Sequence, residues 1–179
     1  MPVCPNCKDS HLTQQPSLET FKCKACGKTF KLTEINREEW RLKWKPPEIK
    51  HGVPTEWGWV VLHPENLKLG KYIDIGCFTL IQAQHGVEIG DNVQIGGGCK
   101  IYSVNTIEGT KGKVTIKQNA KIGANTVILP GVTIGENSII GALSLVKTDI
   151  PPNEVWAGIP AKRVGRVDER KNPAPNQKA

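Results

Sequence analysis

Four cysteines in two pairs carry the plainest chemistry near the start of the chain. Cys4 and Cys7, then Cys23 and Cys26, each enclose two residues, and 15 residues separate the pairs. Two such turns can bring four thiolates onto a tetrahedral zinc, at about 2.3 Å from the metal. Pro5 and Asn6 in one turn, and Gly27 after the other, suit tight ligand loops. Four protein ligands leave no open coordination position, so this zinc is expected to be structural. The remaining thiols, Cys77 and Cys99, have no evident base partner in the sequence and read as small buried hydrophobes.

The elements that would position the first pairs are short. Phe21 and Phe30 flank the second pair with apolar cover, and FKCKACGKTF looks like half of a zinc ribbon, expected over residues 1–32. His11 reads as a hairpin residue rather than a ligand. Residues 33–55 read as a linker with a short helix in TEINREEWRLKWK, where Trp40 and Trp44 share a side and Pro46-Pro47 stops the helix. His51 and His63 fall before or at the edge of the next domain and read as linker or cap residues. Trp57 and Trp59 are expected to cover an open domain end.

The domain expected over residues 56–167 is set by a period of six. Ile116, Ile122, Ile128, Ile134, Ile140 and Val146 are each six residues apart. A helix winding at 3.6 residues per turn would smear these aliphatics over every face. A short strand followed by a tight turn keeps them in register, and a hexapeptide repeat is the signature of a parallel β-helix. Leu69, Ile75 and Ile81 keep the same period, as do Ile89, Ile95 and Ile101 after a slip of two. Three hexads per turn gives about four coils, starting at Leu69, Ile89, Ile116 and Ile134. The rhythm breaks near His85-Gly86 and between Asn105 and Lys113, and loops at such breaks are where function concentrates.

Charge follows the same division. The net charge is +7 over 179 residues. Residues 1–50 carry ten basic and six acidic side chains, and residues 162–179 carry six and two. The repeat between them is near neutral. Basic ends suit an anionic partner, a nucleic acid or a phosphorylated ligand. Nothing in the sequence has the length of a membrane span or an apolar signal core, so a cytoplasmic protein is expected. The Pro-rich tail, 168–179, is expected to be disordered.

The hexads, the segment KIGANTVILPGVTIGENSIIGALSLV and the ending GIPAKRV together resemble the hexapeptide-repeat acyltransferases, most of all the sugar O- and N-acetyltransferases. The resemblance implies a mainly β protein built on a left-handed parallel β-helix. It also implies a homotrimer with active sites between subunits, acetyl-CoA as donor, and a sugar or nucleotide-sugar acceptor. Ala124 and Ala142 stand where that family lays the pantetheine arm. Lys147, Thr148, Lys162 and Arg163 stand where it meets the nucleotide and its phosphates. The family's base histidine has no counterpart, because Thr106 occupies its position, with Asn105 before it. His85 is then the candidate base within the repeat. It is fifth in its hexad, as Asn105 is in the next coil, so the two are expected to stack, with Asn105 orienting the base or binding the acceptor. A γ-type carbonic anhydrase, which draws three histidines onto zinc, is disfavoured by this single repeat histidine. A zinc-ribbon module binding nucleic acid or protein on a β-helix scaffold is the competing reading, and is less favoured.

Overall fold

The structure, a computed structural model, describes residues 42–168 and three short strands nearer the N-terminus, Leu12–Gln14, Thr20–Cys23 and Thr29–Lys31. The chain divides into two compact units that meet in sequence at Pro46-Pro47. In the first unit the three strands form an antiparallel meander, with Leu12 opposite Cys23 and Phe21 opposite Phe30. Cys4, Cys7 and Cys26 lie outside the described residues, and Cys23 is described through its backbone alone. Of the helix expected within 33–45, Leu42 and Lys43 are helical, and most of the segment lies outside the described residues. The tail from residue 169 onward also lies outside them.

The second unit is a parallel β-helix with three walls. The first wall stacks Val60–Leu62, Leu80–Gln82, Lys100–Tyr102, Val127–Ile128 and Leu145–Val146. The second stacks Leu67–Leu69, Val87–Ile89, Val114–Ile116 and Thr133–Ile134, and a bridge from Ile134 to Ile150 extends it. The third stacks Asp74–Ile75, Gln94–Ile95, Lys121–Ile122, Ile139–Ile140 and Glu154–Gly158. The last of these turns back on Ala161–Arg166 as an antiparallel pair.

The helix has about five coils, one more than the repeat led us to expect. The additional rungs are one before the repeat, where Val60–Leu62 pairs in parallel with Leu80–Gln82, and two after it, at Ile150 and in Glu154–Gly158. Val61 is eight residues from Leu69, Ile150 four from Val146 and Val155 five from Ile150, so a count of hexads passes over all three. Trp59, beside this first strand, is 2% exposed, whereas Trp57 is 46% exposed.

Each coil sends one aliphatic inward per wall. Val61, Ile81, Ile101, Ile128 and Val146 form an inner column with no solvent exposure. No coil can bury this column alone; its cover is the coil before and the coil after. The turns from the second wall to the third and from the third to the first obey one rule: the third residue past the ladder aliphatic takes positive φ. Asn92, Asn119, Asn125, Asn137 and Asn153 do so, as do Tyr72, Phe78 and Leu143. Asparagine tolerates this left-handed region because its short amide bonds locally. Asn119 also donates to Asn137 at 3.1 Å, and Asn137 to Asn153 at 3.0 Å, so one corner is laced along the axis. Gly123, directly after Ile122, has no room for a side chain, since a Cβ there would strike the backbone of Ala142.

Ile128 sits mid-column between Ile101 and Val146. Its truncation to alanine opens a cavity that rigid neighbouring coils cannot close. We expect Ile128→Ala to lower stability by about 2–5 kcal/mol, read as a shift in the urea midpoint; a shift of a few tenths would contradict this packing.

Candidate functional site

The three corners of the helix differ in how freely their length varies. From the second wall to the third, and from the third to the first, neighbouring ladder residues are six apart through Val146. From the first wall to the second the spacing is eight in the first two coils, fifteen in the third, six in the fourth and four in the fifth. Every insertion therefore projects from one corner. It carries the short 3₁₀ turn Pro64–Asn66 in the first coil and Gln84-His85-Gly86 in the second. In the third it carries an antiparallel hairpin, Val104–Asn105 against Thr110–Lys111.

His85 lies on this corner with an exposed side chain. Its backbone N–H donates to Ser103 Oγ at 2.9 Å, and that hydroxyl donates to the carbonyl of Gln82 at 2.7 Å. The imidazole makes no hydrogen bond among the described residues. Asn105 is half-buried and engaged elsewhere. Its amide donates to Glu108 at 3.2 Å, and its oxygen accepts from the backbone of Ile107 at 3.1 Å. The strands keep Ile81 opposite Ile101 and Gln82 opposite Tyr102. Beyond Ser103 the third coil leaves the ladder to form the hairpin, and Gly112 rejoins it by donating to the carbonyl of Ser103. Ser103 is thus the residue in contact with His85. No hydrogen bond joins His85 to Asn105 among the described residues.

A group that the sequence reading had set aside comes together one coil earlier. His51 and His63 are 12 residues apart, yet their rings meet edge-on with centroids 5.0 Å apart. His63 Nδ1 lies 3.1 Å from Glu65 Oε1. The His-x-Glu spacing was visible; the approach of His51 required the bridge between His51 and Val61.

A second corner, between the third wall and the first, carries small residues. Cys77, Gly97, Ala124 and Ala142 occupy the same place in successive coils. The backbones here are closely stacked, with Asn125 N–H donating to Gly97 O and Leu143 N–H to Ala124 O, both at 2.9 Å. Ala157 continues this column at the C-terminal end, and Lys162 pairs with it across the last two strands. Lys147 and Thr148 are exposed at the insertion corner instead, a full wall away. Neither Lys147 nor Lys162 has an ion pair among the described residues. Arg163 differs: its Nε lies 3.0 Å from Glu154, whose other oxygen accepts from Trp156 Nε1 at 2.7 Å.

Residues 113–148 match the model of the bacterial transferase hexapeptide (six repeats), and residues 79–103 match that of the hexapeptide repeat of succinyl-transferase. The galactoside O-acetyltransferase of Escherichia coli is 37% identical over 114 residues, which are 59% of this chain and 56% of that protein. A solved galactoside acetyltransferase in complex with coenzyme A shares 33% identity and a TM-score of 0.59, covering 66% of this chain and 64% of that one. A maltose O-acetyltransferase from Clostridium difficile shares 30% identity and a TM-score of 0.58, over 62% and 64% of the two chains. Over these stretches the solenoid is similar to hexapeptide-repeat acetyltransferases. The chain spans somewhat more than half the length of the curated relatives it matches.

Within this hexapeptide solenoid the two thiols have different surroundings. Cys99 is fully buried, and its Sγ donates to the carbonyl of Gly123 at 3.2 Å. Thr79 and Thr126 make the same bond to Gly96 and Gly141 in neighbouring coils, so Cys99 is one rung of a structural series. Burial also pushes its thiol up from the ordinary value, which lowers its reactivity. Cys77 is exposed. Iodoacetamide applied to the native protein is expected to label the Cys77 peptide and spare the Cys99 peptide until denaturant is added. Native labelling of Cys99 by peptide mapping would show that this rung opens.

Proposed function

We propose that the chain is an acetyl-CoA-dependent acetyltransferase that acts on a hydroxyl or amino group of a sugar or nucleotide-linked sugar. It works as a homotrimer of left-handed helices, with each active site between two subunits. The observation that carries this reading is the split of the candidate residues between two corners. Ala124, Ala142 and Lys162 line one end of the first wall, while His85, Lys147 and Thr148 line the other. A second copy set against that wall would face one corner with the other.

The exterior of the first wall suits such burial. Val60, Leu80, Lys100, Val127 and Leu145 form one outward row. The corresponding row of the second wall is Lys68, Glu88, Thr115 and Thr133, which is polar throughout. The relatives add direct support for the donor, since one solved neighbour is a galactoside acetyltransferase bound to coenzyme A.

In this reading the small-residue corner admits the pantetheine arm close to backbone. Lys147, Thr148 and Lys162 meet the phosphates, for which exposed ammonium groups serve as mobile positive charges. Arg163, paired with Glu154, gives a lesser share and holds the end of the groove. His85 accepts the proton of the attacking hydroxyl or amine as the thioester carbon is attacked and coenzyme A departs as thiol. Asn105 acts on the acceptor side by fixing the turn of the hairpin. The two cysteine pairs hold a structural zinc in the N-terminal unit, and the reduced thiols this needs fit a cytoplasmic setting.

A thiol-release assay with acetyl-CoA and a panel of sugars, amino sugars and nucleotide sugars tests the activity. His85→Ala is expected to lower turnover at least about a hundredfold, and near-normal turnover would reject His85 as base. Lys162→Ala is expected to raise the KM for acetyl-CoA while sparing turnover. Elemental analysis should find one zinc per chain, lost in Cys26→Ser; a metal-free wild-type protein would remove the zinc from the proposal.

A further inference from the structure

The first coil of the insertion corner holds titratable groups that the proposed chemistry leaves unused. His63 stands at φ 61° and ψ 57°, the left-handed region that a non-glycine residue occupies at some cost. Three contacts hold it there. Its backbone N–H donates to His51 Nδ1 at 3.2 Å, its ring rests edge-on against His51, and its Nδ1 meets Glu65. Asn66 then donates to the carbonyl of Gln84 at 3.1 Å, which ties this turn to the loop bearing His85. The histidine–carboxylate pair is therefore fixed relative to the proposed base, one coil away.

The polarity of this group can be read from its bonds. His63 Nδ1 donates to the Glu65 carboxylate, and Nε2 makes no hydrogen bond among the described residues. The Glu65 carboxyl is held below its ordinary value by its own backbone N–H and then by the His63 ring, so it is charged at neutral pH. Its side chain is 62% exposed, and that of His63 is 37% exposed. Among the described lysines, Lys113 pairs with Glu88 in the next coil, and Lys68 also acts on Glu88. The turn thus offers a negative charge and hydrogen-bond acceptors to whatever lies beside His85, and it calls for a ligand rich in donors.

We propose that the His63–Glu65 turn is the acceptor-selecting part of this site, and that it takes an acceptor bearing an ammonium group beside its hydroxyls, an amino sugar in preference to a neutral or acidic one. This rests on the acetyltransferase reading above. Glu65 meets the ammonium, His63 Nε2 bonds a neighbouring hydroxyl, and His51 holds the His63 ring in place. An acidic sugar would set a second carboxylate against Glu65 and is excluded.

Galactosamine, galactose and galacturonate form a matched set of probes. With acetyl-CoA at saturation, the full-length protein is expected to prefer them in that order in kcat/KM. Glu65→Gln should narrow the preference for galactosamine over galactose about tenfold, with the loss in the KM for the sugar rather than in that for acetyl-CoA. Glu65→Lys should shift the preference toward galacturonate. Without acetyl-CoA, galactosamine should move the ring nitrogen resonances of His63 in a proton–nitrogen correlation spectrum, and galactose should move them less. Equal rates for the three sugars, or an unchanged order in Glu65→Lys, would overturn the inference while leaving the acetyltransferase reading intact. Absence of acetyl-CoA binding by calorimetry would overturn that reading itself.

Discussion

Everything in the second unit depends on coils covering one another. The inner columns of isoleucine and valine are buried only because the next coil lies about 4.8 Å away, at the spacing of paired strands. The parallel hydrogen bonds and the aliphatic stacking act along the same axis, so neither can be relaxed without the other. A turn that moved the chain sideways would leave a column residue facing water. This is why two of the corners hold to six residues with so little variation, and why their turn residues are so restricted. Asparagine at positive φ and glycine against a stacked backbone satisfy the same demand: the chain must bend sharply and return to register.

The third corner escapes the constraint. A loop there can lengthen outward without disturbing the columns, provided that its two ends return to their rungs. Ser103 and Gly112 do this for the hairpin, bonded to each other at its base. The fold thus separates a rigid frame from a corner free to vary, and the polar groups able to do chemistry collect on the free corner. His51, His63, Glu65, His85 and the hairpin around Asn105 all belong to it. On another corner the frame stacks small residues in successive coils, with the backbone of Ala142 close against Gly123.

The repeat and its consequences were legible because a period of six has few structural solutions. From it came the parallel helix, the buried ladder residues, the position of the breaks and the small residues after each Ile-Gly pair. The coil count fell short, because the spacing departs from six at both ends, before Leu69 and after Val146. Arg163 was read as standing where the nucleotide is met; the terminal hairpin also sets it against Glu154, which Trp156 holds from its other oxygen. The cysteine pairs remain a reading of spacing, with most of their residues outside the described part.

The sequence by itself determined which residues face inward, because alternation and periodicity are local properties of the chain. It also determined which turns admit a side chain. Only the tertiary structure decided which polar groups meet. Asn105 bonds Glu108 and Ile107 within its own hairpin, partners that a count of hexads does not register. His63 found His51 through a bridge that joins the start of the helix to its first strand. Contacts across an irregular corner depend on where each loop turns, and that geometry is settled by the coils beneath it.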